Sequence, residues 1–277
     1  MAQAGTAQAG CSLLLVGCGK MGGAMLDGWL KAGTASRVVV VEPAGLPDSV
    51  HGNPAVASAT GPADLPSGFV PDVVVLAVKP QVMEQVLLAY AALVRPGTVF
   101  LSIAAGKTIG FFEKLLGDAA AVVRSMPNTP AAIGRGMTVA VGNAVVTDAQ
   151  KSLSDALLSA VGEVAWVDDE SLLDPVTAVS GSGPAYVFLM VEAMAKSGEA
   201  AGLPAGLAMR LARATVAGAG ELLHQSPTAA SDLRKAVTSP NGTTQAALDV
   251  LMAEDGLQPV LDKAVAAATR RSRDLAQ

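Results

Sequence analysis

The sequence predicts an α/β protein. Its first half reads as a doubly wound sheet of parallel strands, and its second half as an all-helical domain. Three observations point there. Up to about Asp168, short continuous Val/Leu runs alternate with helical stretches. Such runs suit parallel strands covered on both faces, and strands spaced by helices imply βαβ units. Beyond Asp168 the strand signals stop and long Ala-rich helical stretches follow. A small helical domain with so much apolar surface completes its core by pairing with a second copy, so a dimerisation domain is expected there.

Each element follows from its local pattern. "CSLLLVGCG" is a strand ending in glycines, and Met21 to Ala32 a helix. "RVVVVE", Arg37 to Glu42, is a second strand. Loops rich in Pro, Gly and Ser are expected from there to Pro71. "DVVVLAV" is a strand, Gln81 to Val94 a helix, "TVFLSI" a strand and Thr108 to Leu116 a helix. "AVVRSM" and "MTVAV" add two strands, Thr147 to Val161 a helix, and Glu163 to Val167 a final strand. Helices are then expected over Pro184 to Ala201, Pro204 to His224, and Thr243 to the end, broken at "GLP", "SPT" and "SPNG". The expected organisation is a flexible tail over residues 1–10, a sheet domain over 11–167 and a helical domain over 168–277.

Composition narrows the function. The chain has 277 residues, 51% hydrophobic but only 3% aromatic, so its core is aliphatic. A net charge of −5 argues against a nucleic-acid or anionic-membrane surface, which needs a basic face. Mean hydropathy is +0.44, yet no apolar run reaches the ~18 residues of a spanning helix. "MAQAGTAQAG" lacks the basic and apolar regions of a secretory leader. Cys11 and Cys18 read as small core residues, too few for a disulfide framework or a metal cage, and a reducing cytoplasm suits them. No Ser-His-Asp, Cys-His or metal-ligand constellation is visible, and His51 and His224 read as structural or surface groups.

The chemistry begins at "LLLVGCGKMGGAM", which places G-x-G-x-x-G at Gly17, Gly19 and Gly22, after a strand and opening a helix. Gly17 permits the tight turn, Gly19 lets backbone approach a pyrophosphate, and Gly22 lets helix pack on strand. With Lys20 and Met21 this is the start of a Rossmann-type dinucleotide site, its phosphates on a helix N-terminus. Glu42 ends the second strand, where a carboxylate accepts from adenosine ribose hydroxyls and repels a 2′-phosphate. From Val38 through Val78 there is no Lys or Arg to pair such a phosphate, so NADH is expected over NADPH. Two further loops follow strands, where α/β sheets hold ligands. One is "AVKPQ", with Ala77, Lys79 and Pro80; the other is "SIAAG", where Ala104 and Ala105 leave room for a flat nicotinamide. Farther on, "VTSPNGTT" reads first as a helix-to-helix turn: Pro stops one helix, Asn-Gly turns, and Thr caps the next.

Taken together, "GCGKMGGAM", "AVKPQ", "SIAAG", "RSMPNTP", "SGSGPAY" and "VTSPNGTT", in this order over nearly the whole chain, resemble the pyrroline-5-carboxylate reductase family. The family usually has Gly where this chain has Asn241. The resemblance implies reduction of a cyclic imino acid, L-1-pyrroline-5-carboxylate, to L-proline with NAD(P)H. It implies a Rossmann domain, a helical dimerisation domain, and a homodimer or ring of dimers. It places substrate on Ser239, Asn241, Gly242, Thr243 and Thr244, with the Thr244 hydroxyl at the ring nitrogen. "SGSGPAY" would wall the nicotinamide. Two other readings compete. A β-hydroxyacid dehydrogenase would need an early Lys in the helical domain, and "SGSGPAYVF" reaches none before Lys196. A non-catalytic NAD-binding protein would leave the Ser/Thr loop without work.

Overall fold

The sheet has eight strands in the order β3-β2-β1-β4-β5-β6-β7-β8. The structure is a computed structural model and describes residues 11–276, so the tail expected over residues 1–10 lies outside the described residues. The strands are β1 (Cys11–Val16), β2 (Ala35–Val41), β3 (Val56–Ala59), β4 (Val73–Leu76), β5 (Val99–Ser102), β6 (Ala121–Met126), β7 (Gly136–Gly142) and β8 (Gly162–Trp166). Four helices cover them: α1 (Lys20–Ala32), α2 (Met83–Leu88), α3 (Ile109–Leu116) and α4 (Asp148–Ser159). Alternate residues of each strand go to opposite layers. Leu13, Leu15, Val38, Val40, Val73 and Val75 pack with Met25, Leu26 and Trp29 of α1 and Leu157 and Leu158 of α4. Leu14, Val16, Val39, Val74, Leu76 and Phe100 pack with Met83 and Leu87 of α2 and Phe112 of α3. The doubly wound reading therefore holds. Trp29 completes its polar need by donating from Nε1 to the Leu157 carbonyl at 2.8 Å.

Three details differ from expectation. β3 lies in the stretch taken for loops; "VASA" has no apolar run of its own and becomes a strand by adding to the edge of β2. β6 and β7 pair antiparallel. Their connection, Pro127–Arg135, is shorter than the dozen or so residues a parallel crossover needs. The helix expected over Gln81 to Val94 is three short pieces, of which α2 is the middle one.

Cα packing divides the chain into two compact units, with the break after Gly181. The first runs to Gly181 and takes back the chain from Thr269. It includes a connector that begins at Asp169, with α5 (Leu173–Val176) and a π-helical turn, Thr177–Gly181. Leu173 is buried with Val139 and Val141 of β7, which holds the connector on the sheet.

The second unit, Ser182–Ala268, carries α6 (Gly183–Ala200), α7 (Ala205–Gln225), α8 (Ala230–Ala236), α9 (Thr243–Leu251) and most of α10 (Leu257–Leu275). The stretch expected as one helix from Thr243 breaks at Gly256, whose α-carbon is too close to the Leu251 carbonyl for any side chain. Within this unit only Ala195, Ala208 and Ala212 are buried among the described residues. Phe188, Leu189, Val250 and Met252 are each more than 60% exposed.

Candidate active site

From β1 the chain steps outward to β2 and β3, then returns to β4 on the other side of β1. This reversal opens a crevice at the carboxyl ends of β1 and β4, where open α/β sheets take ligands. The glycine loop lines it. The Gly17 N–H donates to the Val41 carbonyl at 2.9 Å, and the Ala77 N–H to the Val16 carbonyl at 2.8 Å. Gly17 has φ 91°, and a Cβ there would sit 2.9 Å from the Ala77 carbonyl oxygen. A Cβ on Gly22 would sit 2.5 Å from the Gly17 oxygen, so α1 reaches the strand only with glycine there. Gly19 is the N-cap of α1, no side chain caps that helix, and nothing lies within 4 Å of where a Cβ would be. Lys20 and Met21 open the helix, Lys20 exposed and Met21 half-buried.

Glu42 is part of the same loop rather than a free strand end. Its Oε2 accepts the Cys18 N–H at 2.8 Å and its Oε1 the Ala44 N–H at 3.2 Å. A carboxylate offers about four acceptor positions, so these two bonds leave room for ribose hydroxyls. Arg37, the cation nearest in sequence, is at the opposite end of β2, with its guanidinium 5.1 Å over the Phe69 ring. The uncapped α1 N-terminus, the open face at Gly19 and the held carboxylate fit a dinucleotide: N–H groups for pyrophosphate, carboxylate for ribose. Burial, then the Glu42 and Asp27 charges, push the Cys18 thiol up to about 11, so it stays protonated at neutral pH and is no nucleophile. His51 Nε2 lies 3.0 Å from the Leu46 carbonyl oxygen on the surface, and His224 is exposed in the last turn of α7.

The other strand-end loops are equally defined. Ala77 is half-buried, and exposed Lys79 precedes a short 3-10 turn that begins at Pro80. After β5, the Ile103 N–H donates to the Leu76 carbonyl at 3.2 Å and the Ala104 N–H to Ser102 Oγ at 3.2 Å. Ala104 is buried and Ala105 exposed. After β6 comes Asn128, to which sequence reasoning gave no role. Its Nδ2 donates to the Ser180 carbonyl at 3.3 Å and to Ser180 Oγ at 3.2 Å, while its Oδ1 accepts the Met137 N–H at 2.9 Å. It ties "MPNTP" to the π-turn that begins "SGSGPAY". The only sequence signal was its place inside a shared motif.

Within the second unit, Ser239 to Thr244 form a tight turn of their own. The Gly242 N–H donates to the Ser239 carbonyl at 3.0 Å. Asn241 has φ 59°, and among the described residues no other non-glycine residue has positive φ. Asparagine tolerates this left-handed backbone better than most side chains. Gly242, not a threonine, is the N-cap of α9, and no side chain caps that helix. The expectation that Thr caps α9 is therefore corrected: Thr243 and Thr244 are the first two helical residues, and their N–H groups belong to an open first turn.

The first unit is that of a nicotinamide-dependent oxidoreductase: a doubly wound sheet with a glycine crevice at its switch point. The family description "NADP oxidoreductase coenzyme F420-dependent" matches residues 12–106, and "Pyrroline-5-carboxylate reductase dimerisation" matches residues 170–275. The chain is 46% identical over 206 residues to the pyrroline-5-carboxylate reductase of Pseudomonas aeruginosa, covering 74% of this chain and 75% of that one. A pyrroline-5-carboxylate reductase structure from Coxiella burnetii superposes with a TM-score of 0.88 at 33% identity, over 96% of this chain and 99% of that one. The Plasmodium falciparum pyrroline carboxylate reductase, solved with NADP bound, gives 0.80 at 27%, over 96% and 98%. The chain belongs to the pyrroline-5-carboxylate reductase family.

Proposed function

We propose that this protein reduces L-1-pyrroline-5-carboxylate to L-proline with a reduced nicotinamide cofactor, the last step of proline synthesis. One observation carries the reading: a chain with an open glycine crevice is 46% identical to a pyrroline-5-carboxylate reductase over 74% of its length. The cofactor, when bound, supplies the hydride. The chain's own residues bind and orient. Gly17, Gly19, Lys20, Met21 and Gly22 hold the pyrophosphate, and Glu42 the ribose. Ala77, Lys79, Pro80, Ala104 and Ala105 border the remainder, the two alanines leaving room for a flat ring.

On the substrate side, the turn Ser239–Thr244 offers N–H groups and hydroxyls to a carboxylate without a Lys or Arg. The Thr244 hydroxyl bonds the ring nitrogen, donating to the neutral imine or accepting from the iminium. In the iminium form the ring carbon gains the hydride and the C=N π pair becomes the nitrogen lone pair, giving the amine, which takes its further proton from water. The iminium itself forms by protonation from water, so no His or carboxylate is required. Mixing protein, reduced cofactor and imine while following cofactor absorbance tests this directly. No oxidation of NADH or NADPH at millimolar imine would defeat it.

Three narrower readings go with it. Glu42 sits against the glycine loop, and Val38 through Val78 contain no Lys or Arg, so catalytic efficiency is expected to favour NADH over NADPH. Glu42→Ser is expected to narrow that gap. A wild type preferring NADPH by about tenfold, a difference of about 1.4 kcal/mol, would reverse the assignment. The exposed apolar side chains of the second unit and its three buried alanines suit a homodimer or a ring of dimers. Sedimentation at micromolar concentration is expected to give a dimer or a multiple of it, and a stable folded monomer would contradict it. We place the reaction in the cytoplasm. Both cysteines are free and buried, which suits a reducing compartment, and among the described residues no helix is long and apolar enough to cross a membrane.

A further inference from the structure

We propose that the last turn of α10, held by Asp174 of the connector, is a positioning element for the loop Ile103–Gly106, whose far end Glu170 of the same connector fixes through the Ile109 N–H. The proposal rests on the reading that Ala104 and Ala105 border the cofactor.

Five contacts within the first unit tie this loop to α10 and the connector. Gly106 has φ 76°, and a Cβ on it would lie 3.1 Å from the Leu275 carbonyl oxygen and 3.3 Å from Leu275 Cβ. The last turn of α10 thus lies directly on the loop, and the left-handed backbone at Gly106 favours glycine there. Two residues before Asp274, buried Ser272 donates from Oγ to Asp174 Oδ1 at 2.6 Å, and Arg273 Nε stands 3.8 Å from Asp174 Oδ2. Asp174 and Glu170 lie one helical turn apart on the connector. Glu170 Oε1 accepts the N–H of Ile109, three residues past Gly106, at 2.8 Å, and Arg124 Nη1 at 2.7 Å.

These contacts supply what the loop lacks. Ala104 is anchored by burial and by its N–H to Ser102 Oγ, but Ala105 and Gly106 carry no side chain large enough to anchor themselves. Such a loop is ordered from outside or it is ordered by its ligand, which weakens binding by the entropy lost. Here one side is fixed by Leu275 and the far end by Glu170. A merely structural role for the helix end would alter stability without singling out these amides or the cofactor.

Ser272→Ala in the full-length protein removes the bond between α10 and Asp174. Without cofactor, backbone hydrogen exchange over residues 103–109 is expected to quicken about tenfold, the factor for a charge-assisted hydrogen bond at the low end of its range. The NADH dissociation constant, read by fluorescence, is expected to rise by about threefold to tenfold, and NADH KM with it, while kcat and the imine KM stay within about twofold. Ser272→Thr keeps the hydroxyl and is expected to restore all of these. Unchanged exchange at 103–109 overturns the proposal, as does a wild type and a Ser272→Ala variant binding NADH equally tightly. A uniform fall in every kinetic parameter with a lower melting temperature also overturns it. A wild type that binds neither NADH nor NADPH would instead overturn the functional reading, and the positioning role with it.

Discussion

Thr244→Ala is expected to lower kcat/KM for the imine by roughly 10- to 150-fold while NADH affinity and melting temperature hold. The size follows from one hydrogen bond to a charged or charging nitrogen, about 1.5–3 kcal/mol. The constancy of the fold follows from the position. Thr244 is the second residue of α9, half-buried, and Gly242 is the cap, so the substitution removes a hydroxyl and a methyl but no cap. Alanine is also the better helix former at such a site. Cofactor affinity holds because the turn is assigned to substrate. Thr244→Ser, which keeps the hydroxyl, is expected to retain most of the activity. Undiminished turnover in a stable Thr244→Ala protein would reduce the turn to its backbone role.

Local signals served well where function and fold use the same residues. The glycine loop was legible because two of its glycines answer a steric demand visible in the motif: the Gly17 turn, and the Gly22 approach of α1 to the Gly17 carbonyl. The two covering layers were legible because Val/Leu runs serve both sheet faces. What stayed hidden depends on partners far along the chain. β3 exists only as an addition to β2, and "VASA" carries no signal of its own. The boundary at Asp168 marked the end of strand patterning, but Leu173 still packs on β7, which keeps the connector with the sheet. Glu42 was legible as the acid that ends the second strand, yet its bond to the Cys18 N–H was not. Asn128, Glu170 and Leu275 act across 52, 61 and well over 100 residues of chain, beyond any local pattern. The threonine cap failed for a subtler reason. Asn241 adopts a left-handed backbone, which lets Gly242 take the cap position and moves both threonines into the helix.

Breaking the ion pair between Arg124 and Glu170 is expected to cost stability on the order of 3 kcal/mol. The Arg124 side chain is 6% exposed on β6, that of Glu170 is 28% exposed, and they meet at 2.7 Å. Removing one partner of a buried pair leaves a charge without compensation and costs about 3–5 kcal/mol. Glu170 keeps some contact with water, which points to the low end, about 3 kcal/mol, for Glu170→Ala. At about 2–4 °C per kcal/mol for a unit of this size, the melting temperature is expected to fall by about 6–12 °C. The Ile109 N–H at the start of α3 loses its acceptor in the same step. Glu170→Gln keeps an acceptor oxygen and is expected to recover part of the loss. The sign of the remaining test is less intuitive. Replacing both partners, Arg124→Met with Glu170→Met, removes the stranded charge as well as the attraction, and such swaps are often near neutral. The double variant is therefore expected to melt above Glu170→Ala. A Glu170→Ala protein melting within about 2 °C of wild type, less than the shift for 1 kcal/mol, would show that water already solvates Arg124 and that the pair does not hold β6 to the connector.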